Sequence, residues 1–289
     1  MRRLLAQRRR SLPWSDRSIL LASLLLVLLA IPLWLDPQTL NEVTGQGAST
    51  SAAPSGLDLD TPRPGGPTPG ARGPAIVVAL DDFDRSVDGG WGSAELGGDY
   101  AATGRGTLSV EEGTAFAHLA AGDAGTVALS TFAVHDAALE YAVSLERLPA
   151  DGEVIIYAVL RLNADGAAYR LALHVTAAGD VYAGVESLVD GRARRIGASV
   201  LIPTTAGVAP PTLRVRAEAI GDDPTTLRIR AWSDGQPEPA AWQLSVIDWA
   251  GPLQHGGAIG LGWWLDQSVD EHLALGFLEL AAWRLGDDA

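Results

Sequence analysis

The residues with chemistry to offer are scattered in this chain. The histidines, at 118, 135, 174, 255 and 272, show no metal-ligand spacing, and no cysteine is present. Thiolate metal sites and disulfides are therefore excluded. No G-x-S-x-G elbow occurs, and the glycine pairs Gly89-Gly90 and Gly97-Gly98 open no helix, so they read as turns and not phosphate loops. The adjacent carboxylates Glu111-Glu112 and Asp287-Asp288 would point to opposite sides of a strand. Asp81, Asp82, Asp84 and Asp88 supply hard oxygens that would suit calcium, but they match no D-x-D-x-D-G loop. As acidic loop residues they would instead cap turns. The sequence thus offers no catalytic residue and no metal centre, and calcium is the one cofactor its oxygen ligands would suit.

Aromatic and arginine side chains are the better clue. Seven of the nine tryptophans lie after residue 75, and flat aromatic rings can stack on sugars while polar neighbours fix the hydroxyls. Trp232 shares one face of a predicted strand with Arg228 and Arg230, and Arg214 and Arg216 lie in the strand before it. These residues form a candidate glycan-binding face. Their competing role is cross-strand pairing with Glu140, Glu146 or Glu218. Trp263 and Trp264 are adjacent, so on a strand one must face the core and the other away from it.

The elements that would position them are read from period two. Asp151-Gly152, Asp165-Gly166, Asp190-Gly191 and Asp234-Gly235 punctuate alternating runs. Strands are predicted near 75–80, 107–111, 114–120, 126–132, 137–147, 153–162, 167–176, 180–188, 193–201, 212–220, 225–233, 241–248, 257–265 and 272–284. Leu213, Val215, Ala217 and Ala219 alternate with Arg214, Arg216 and Glu218, and Tyr169, Leu171, Leu173 and Val175 alternate with Arg170 and His174. No stretch after residue 36 shows a 3.6 period, so helix should be nearly absent. So many strands cannot form one open sheet, and two packed antiparallel sheets are the natural solution.

Before this body the chain has a different character. Ile19 to Leu35 is an uncharged apolar run, long enough at about 1.5 Å per residue for a short membrane span of roughly 25 Å. Six arginines and one aspartate precede it, a net charge of +5 over residues 1–35. The positive-inside rule keeps residues 1–18 in the cytoplasm and exports the chain beyond residue 35. A cleaved signal peptide and secretion is the alternative. Residues 36–74 are rich in Pro, Gly, Ser and Thr and read as a disordered, partly stiffened linker to the domain at 75–289. All 21 basic residues are arginine, and the segment 76–289 holds 13 of them against 30 acids, a net charge of −17. So acidic a body repels phosphate, which excludes nucleic acid as a partner.

Two stretches carry a resemblance. DDFDRSVDGGWGSAELGGDY (81–100) and TTLRIRAWSDGQPEPAAWQLSVID (225–248) resemble the opening and the late hairpin of laminin-G-like modules of exported bacterial proteins. The resemblance implies the concanavalin A-like lectin/glucanase jelly roll over about 76–289, a fold shared by lectins, adhesion modules and glycosidases. The glucanases of that superfamily carry Glu-x-Asp-x-x-Glu on one strand, and no Glu here has an Asp two residues later. The expectation is an all-β, two-sheet antiparallel jelly-roll sandwich behind one transmembrane helix and a linker. Its expected work is non-catalytic recognition of a glycan or a cell-envelope protein. A glycan-active enzyme and a purely structural envelope domain are the alternatives.

Overall fold

The computed structural model describes residues 75–204 and 212–286. The predicted cytoplasmic tail, membrane segment and linker lie outside the described residues. Within them, period-two alternation becomes strand almost throughout. In chain order the strands are β1 (Ile76–Asp81), β2 (Val87–Asp88), β3 (Tyr100–Gly104), β4 (Thr107–Glu111), β5 (Thr114–Leu119), β6 (Ala124–Val134) and β7 (Ala137–Leu145). After these come β8 (Glu153–Leu162), β9 (Ala168–Thr176), β10 (Val181–Val189), β11 (Arg192–Arg195), β12 (Val200–Ile202), β13 (Leu213–Ile220), β14 (Thr225–Ser233), β15 (Leu244–Asp248), β16 (Gly257–Leu265) and β17 (Leu273–Arg284). Among the described residues the sole helical element is a single 3₁₀ turn, Gly251–Leu253.

Every pairing is antiparallel. The first sheet runs β15-β14-β13-β7-β17-β5-β4-β2, with β1 also on β17. The length of β17 makes this arrangement work: its first residues pair with β5, its last with β1, and β7 runs along its other side. The second sheet runs β3-β6-β16-β8-β9-β10-β11, with β12 also on β10. The run expected at 193–201 is therefore two short strands. Between them Gly197 takes a left-handed conformation (φ 75°), which lets the chain step out of the ladder and back. Strands β2 and β3 are absent from the sequence-based expectation, because the 87–104 stretch is dominated by glycine and small residues with little alternation.

The inward faces of both sheets form one apolar core, with Leu213, Val215, Ala217 and Ala219 of β13 and Leu171, Leu173 and Val175 of β9 all buried in it. Trp91 is a wedge in this core. Its indole donates to the Phe116 carbonyl at 3.0 Å, and its ring meets Phe277, Tyr100 and Phe83 at centroid distances of 5.2, 5.5 and 5.7 Å.

A buried cation ties the loops of the sandwich together. The Arg161 side chain is fully buried. Its Nε donates to the His135 carbonyl (2.9 Å), Nη1 to the Thr225 hydroxyl (2.7 Å) and the Leu253 carbonyl (3.0 Å), and Nη2 to the Gly221 carbonyl (2.7 Å). Asp136 lies 3.6 Å from Nη2. One guanidinium thus holds the β6–β7 turn, the β13–β14 turn, the start of β14 and the 3₁₀ turn. Removing it would orphan three carbonyls and leave the Asp136 carboxylate to the Gly221 amide and the His135 ring. Arg161→Met is expected to lower the unfolding free energy by about 3–5 kcal/mol, with Arg161→Lys recovering only part, as read by urea unfolding of the full chain followed by tryptophan fluorescence.

Candidate functional site

The arginines and tryptophan singled out in the sequence lie on the outer face of the first sheet. Arg214 stands opposite Trp232, Arg216 opposite Arg230, and Glu218 opposite Arg228, all on the side away from the core. That face is polar, as alternation predicts, but it is not open. Arg216 is 1% exposed, Arg230 4% and Trp232 6%. The segment 234–243 closes over it. Trp242 stacks on Arg230 and Arg228 at 4.4 and 4.9 Å, the Pro239 carbonyl accepts from Arg230 at 2.8 Å, and Glu238 pairs with Arg230. Arg228 binds Glu218 at 2.7 Å, and Arg214 binds Asp234 at 2.7 Å and Glu279 at 3.1 Å. Arg216 lies 3.6–3.9 Å from Glu238, Glu218 and Glu140, and over the Trp283 ring. The structure brings all five residues together; Arg214 and Arg216 reach Glu140 across the strands and Arg228 reaches Glu218, while Glu146 takes no part in these pairs.

Glu140 is the weak member of this network. Burial pushes its carboxyl up to about 7, with Glu238 and Glu279 adding to the rise and Arg216 and Arg214 opposing it. The folded state therefore holds a proton that the unfolded chain has already released, so stability falls as pH rises from about 4.5 through 7. The full shift corresponds to about 3 kcal/mol. Urea unfolding at pH 5 and pH 8 is expected to show this loss in the natural protein and a much smaller one in Glu140→Gln.

The tryptophan pair divides as strand parity requires. Trp263 faces the core at 2% exposure and donates to the Arg105 carbonyl at 2.9 Å. Gly125 makes room for it, since a Cβ there would lie 2.6 Å from the indole. Trp264 faces outward, half-buried, on the second sheet.

The outer face of that second sheet is built in rows across the strands. Register aligns Leu201, Tyr182, His174, Ile155 and Trp264 in one row. The next row holds Gly184, Ala172, Tyr157, Gly262 and Thr126. The third holds Arg195, Glu186, Arg170, Val159 and Gly260. Gly184, Ala172 and Gly262 keep the middle row small, while Tyr157 fills it at β8. This strip, the trench, is floored by an apolar cluster in which Ile155, Tyr157, Val159, Ala168 and Ala172 are 1–8% exposed, and the half-buried Leu162 and Trp264 are its accessible part. Arg170 lies 4.5 Å over the Tyr157 ring and pairs with Glu186. His174 Nδ1 lies 3.1 Å from Glu153. Burial, and then the nearby Glu186, push the Tyr157 hydroxyl above its usual range, so it stays a neutral donor. The sequence points to Arg170 and His174 only as the polar side of β9. Their meeting with Tyr182, Glu186, Tyr157 and Trp264 depends on register across strands.

Two of the four aspartates considered for calcium are engaged within the protein. Asp81 accepts both Arg85 nitrogens, at 2.7 and 2.8 Å, and the Phe83 amide; Asp82 caps the Asp84 amide at 3.0 Å. Among the described residues no three His, Asp or Glu side chains converge as metal ligands.

No protein-family model matches the sequence, and no curated protein does. Solved structures do match. A CBM2 module of the evolved Dit protein of Lactobacillus casei BL23 phage J-1 superposes with a TM-score of 0.51 at 11% identity, over 74% of this chain and 98% of that one. The carbohydrate recognition domain of Emp47p matches at a TM-score of 0.45 and 12% identity, over 72% and 95% of the two chains. A legume lectin-like domain from Entamoeba histolytica matches at 0.44 and 11%, over 65% and 90%. At such identity the phage module establishes the fold alone: an all-β sandwich of two antiparallel sheets.

Proposed function

We propose that this domain binds glycans non-catalytically on the outer face of its second sheet. The observation that carries the reading is the half-buried, outward-facing Trp264 beside the buried apolar cluster at Tyr157, flanked by Arg170–Glu186 and His174–Glu153. Sugar rings present apolar C–H faces to aromatic rings and hydroxyls to polar rims, and this trench supplies both. The description of the phage module as a CBM2 module agrees with this reading at the level of fold. Binding is favoured over hydrolysis because Glu153 and Glu186 lie three rows apart by register, about 20 Å at 3.4 Å per residue. Glycosidase carboxylates stand about 5–10 Å apart. The apolar run at 19–35 and the arginines before it support display of the domain outside the membrane on a linker of residues 36–74.

The test is a glycan array probed with the full chain in a polyoxyethylene detergent, which carries no sugar. Trp264→Ala and Arg170→Ala are each expected to weaken binding at least about tenfold, the scale of one lost stacking or charge-assisted contact. Arg214→Ala, on the other sheet, is expected to leave it unchanged. Binding that survives both trench substitutions would move the site elsewhere. Protease added outside intact cells is expected to release the domain; a domain already free in the medium would favour the cleaved signal peptide.

A further inference from the structure

A second, smaller site lies at the end of the sandwich away from Arg161. Residues 89–99 connect the first sheet's edge strand β2 to the second sheet's edge strand β3. Between these edges is a cleft of about 490 Å³. Trp91, Leu108 and Val127, all buried core residues, form its inner wall, with the half-buried Tyr100 beside them. Gly89 and Gly90 form part of its lip, where there is room for a side chain. A Cβ at Gly89 would meet nothing within 4 Å, and one at Gly90 only the Gly92 amide nitrogen at 4.0 Å. Asp99 also lines the cleft. One of its oxygens accepts the Ser93 hydroxyl at 2.5 Å, and both residues are exposed.

The lining selects a chemistry. An apolar and aromatic wall takes a small hydrophobic body, and a volume of this size suits a small organic molecule. The carboxylate takes a positive charge, and the ring of the half-buried Tyr100 favours a cation further. Residues 76–289 carry a net charge of −17, so the surrounding field draws cations in and turns anions away. We infer that the cleft between Gly89-Gly90 and Asp99 binds a small organic cation, an amine borne on an apolar or aromatic body. This site is separate from the trench and does not depend on it.

The test uses the full chain in the same detergent and two probes of nearly equal shape, 2-phenylethylammonium and neutral 2-phenylethanol, titrated by calorimetry. The expected result is saturable binding of the cation at least tenfold tighter than the alcohol, weakened by salt. Asp99→Asn should erase the difference between probes. Gly90→Phe should abolish binding of both by filling the cleft; the Gly90 backbone is outside the left-handed region, so a side chain is tolerated there. Should Gly90→Phe not fold, as judged by its thermal midpoint, Gly90→Val makes the same test. Absence of saturable binding, equal affinity for the two probes, or binding that persists in the filled variant would each overturn the inference.

Discussion

The sandwich depends on one buried guanidinium. Two sheets of many short antiparallel strands, without a disulfide and with almost no helix among the described residues, need many turns to connect them. Turns carry backbone carbonyls that must be satisfied wherever they fold inward. Arg161 meets this need at one end of β16, where the β6–β7 and β13–β14 turns and the 3₁₀ turn converge. The fork geometry of arginine lets one residue serve four partners, which no lysine could do. Arg161 itself adopts a left-handed backbone (φ 54°), a cost tolerated because the surrounding contacts over-determine it. Gln254 extends the same knot: its amide donates to the Tyr169 hydroxyl and its carbonyl accepts from Thr225 and the Asp223 amide. Toward the other end of β16, Trp91 closes the core by packing against Trp263, Tyr100 and Phe277 while its indole donates to the Phe116 carbonyl.

The two outer faces solve opposite problems. The first sheet turns arginines and glutamates outward and then buries them beneath its own 234–243 segment. Burying charges costs desolvation, and the network answers with pairs, stacked rings and a backbone carbonyl, while Glu140 holds onto a proton instead. Five carboxylates, Glu140, Glu218, Asp234, Glu238 and Glu279, surround four arginines, so retaining a proton there balances the charge. The second sheet does the reverse, turning apolar and aromatic residues outward, with the Arg170–Glu186 pair and the His174–Glu153 contact among them.

Much of the fold is legible in residue order. The strands at 107–111, 153–162, 225–233 and 257–265 fall where alternation and turn residues place them, because those signals are local. The glycine-rich 87–104 stretch hides β2 and β3, since edge strands held by one neighbour need little alternation. The parity of Trp263 and Trp264 is legible for the same local reason. The burial of Arg216 and Arg230 is foreshadowed by their candidate glutamate partners, but the agent of burial is not. In sequence, Trp242 and Pro239 read as packing and stiffening their own loop, and nothing in their order says which sheet face that loop covers. Arg161 and the trench are invisible for a related reason. The alignment of Tyr182, His174, Ile155 and Trp264 joins four strands whose register the sequence does not state.

The asymmetry between the faces is the physical argument for where a ligand goes. An apolar residue on the outside of a sheet gains nothing from the core, and alternation would ordinarily place a polar residue there. On β8, Ile155, Tyr157 and Val159 break that pattern, so the strand is apolar on both sides. A strand that is apolar on both sides is expected where both faces are covered, as they are in the middle of a parallel sheet. Here the sheet is antiparallel and no strand of the other sheet covers this face. Elsewhere in the molecule an outward face in need of cover received it from the 234–243 segment. The outward side chains of β8 are instead covered by their own neighbours, Arg170 lying over the Tyr157 ring, and the half-buried Trp264 and Leu162 are the apolar side chains this face leaves accessible. The chemistry of that floor, flat rings between short polar rims, suits a molecule with apolar faces and many hydroxyls.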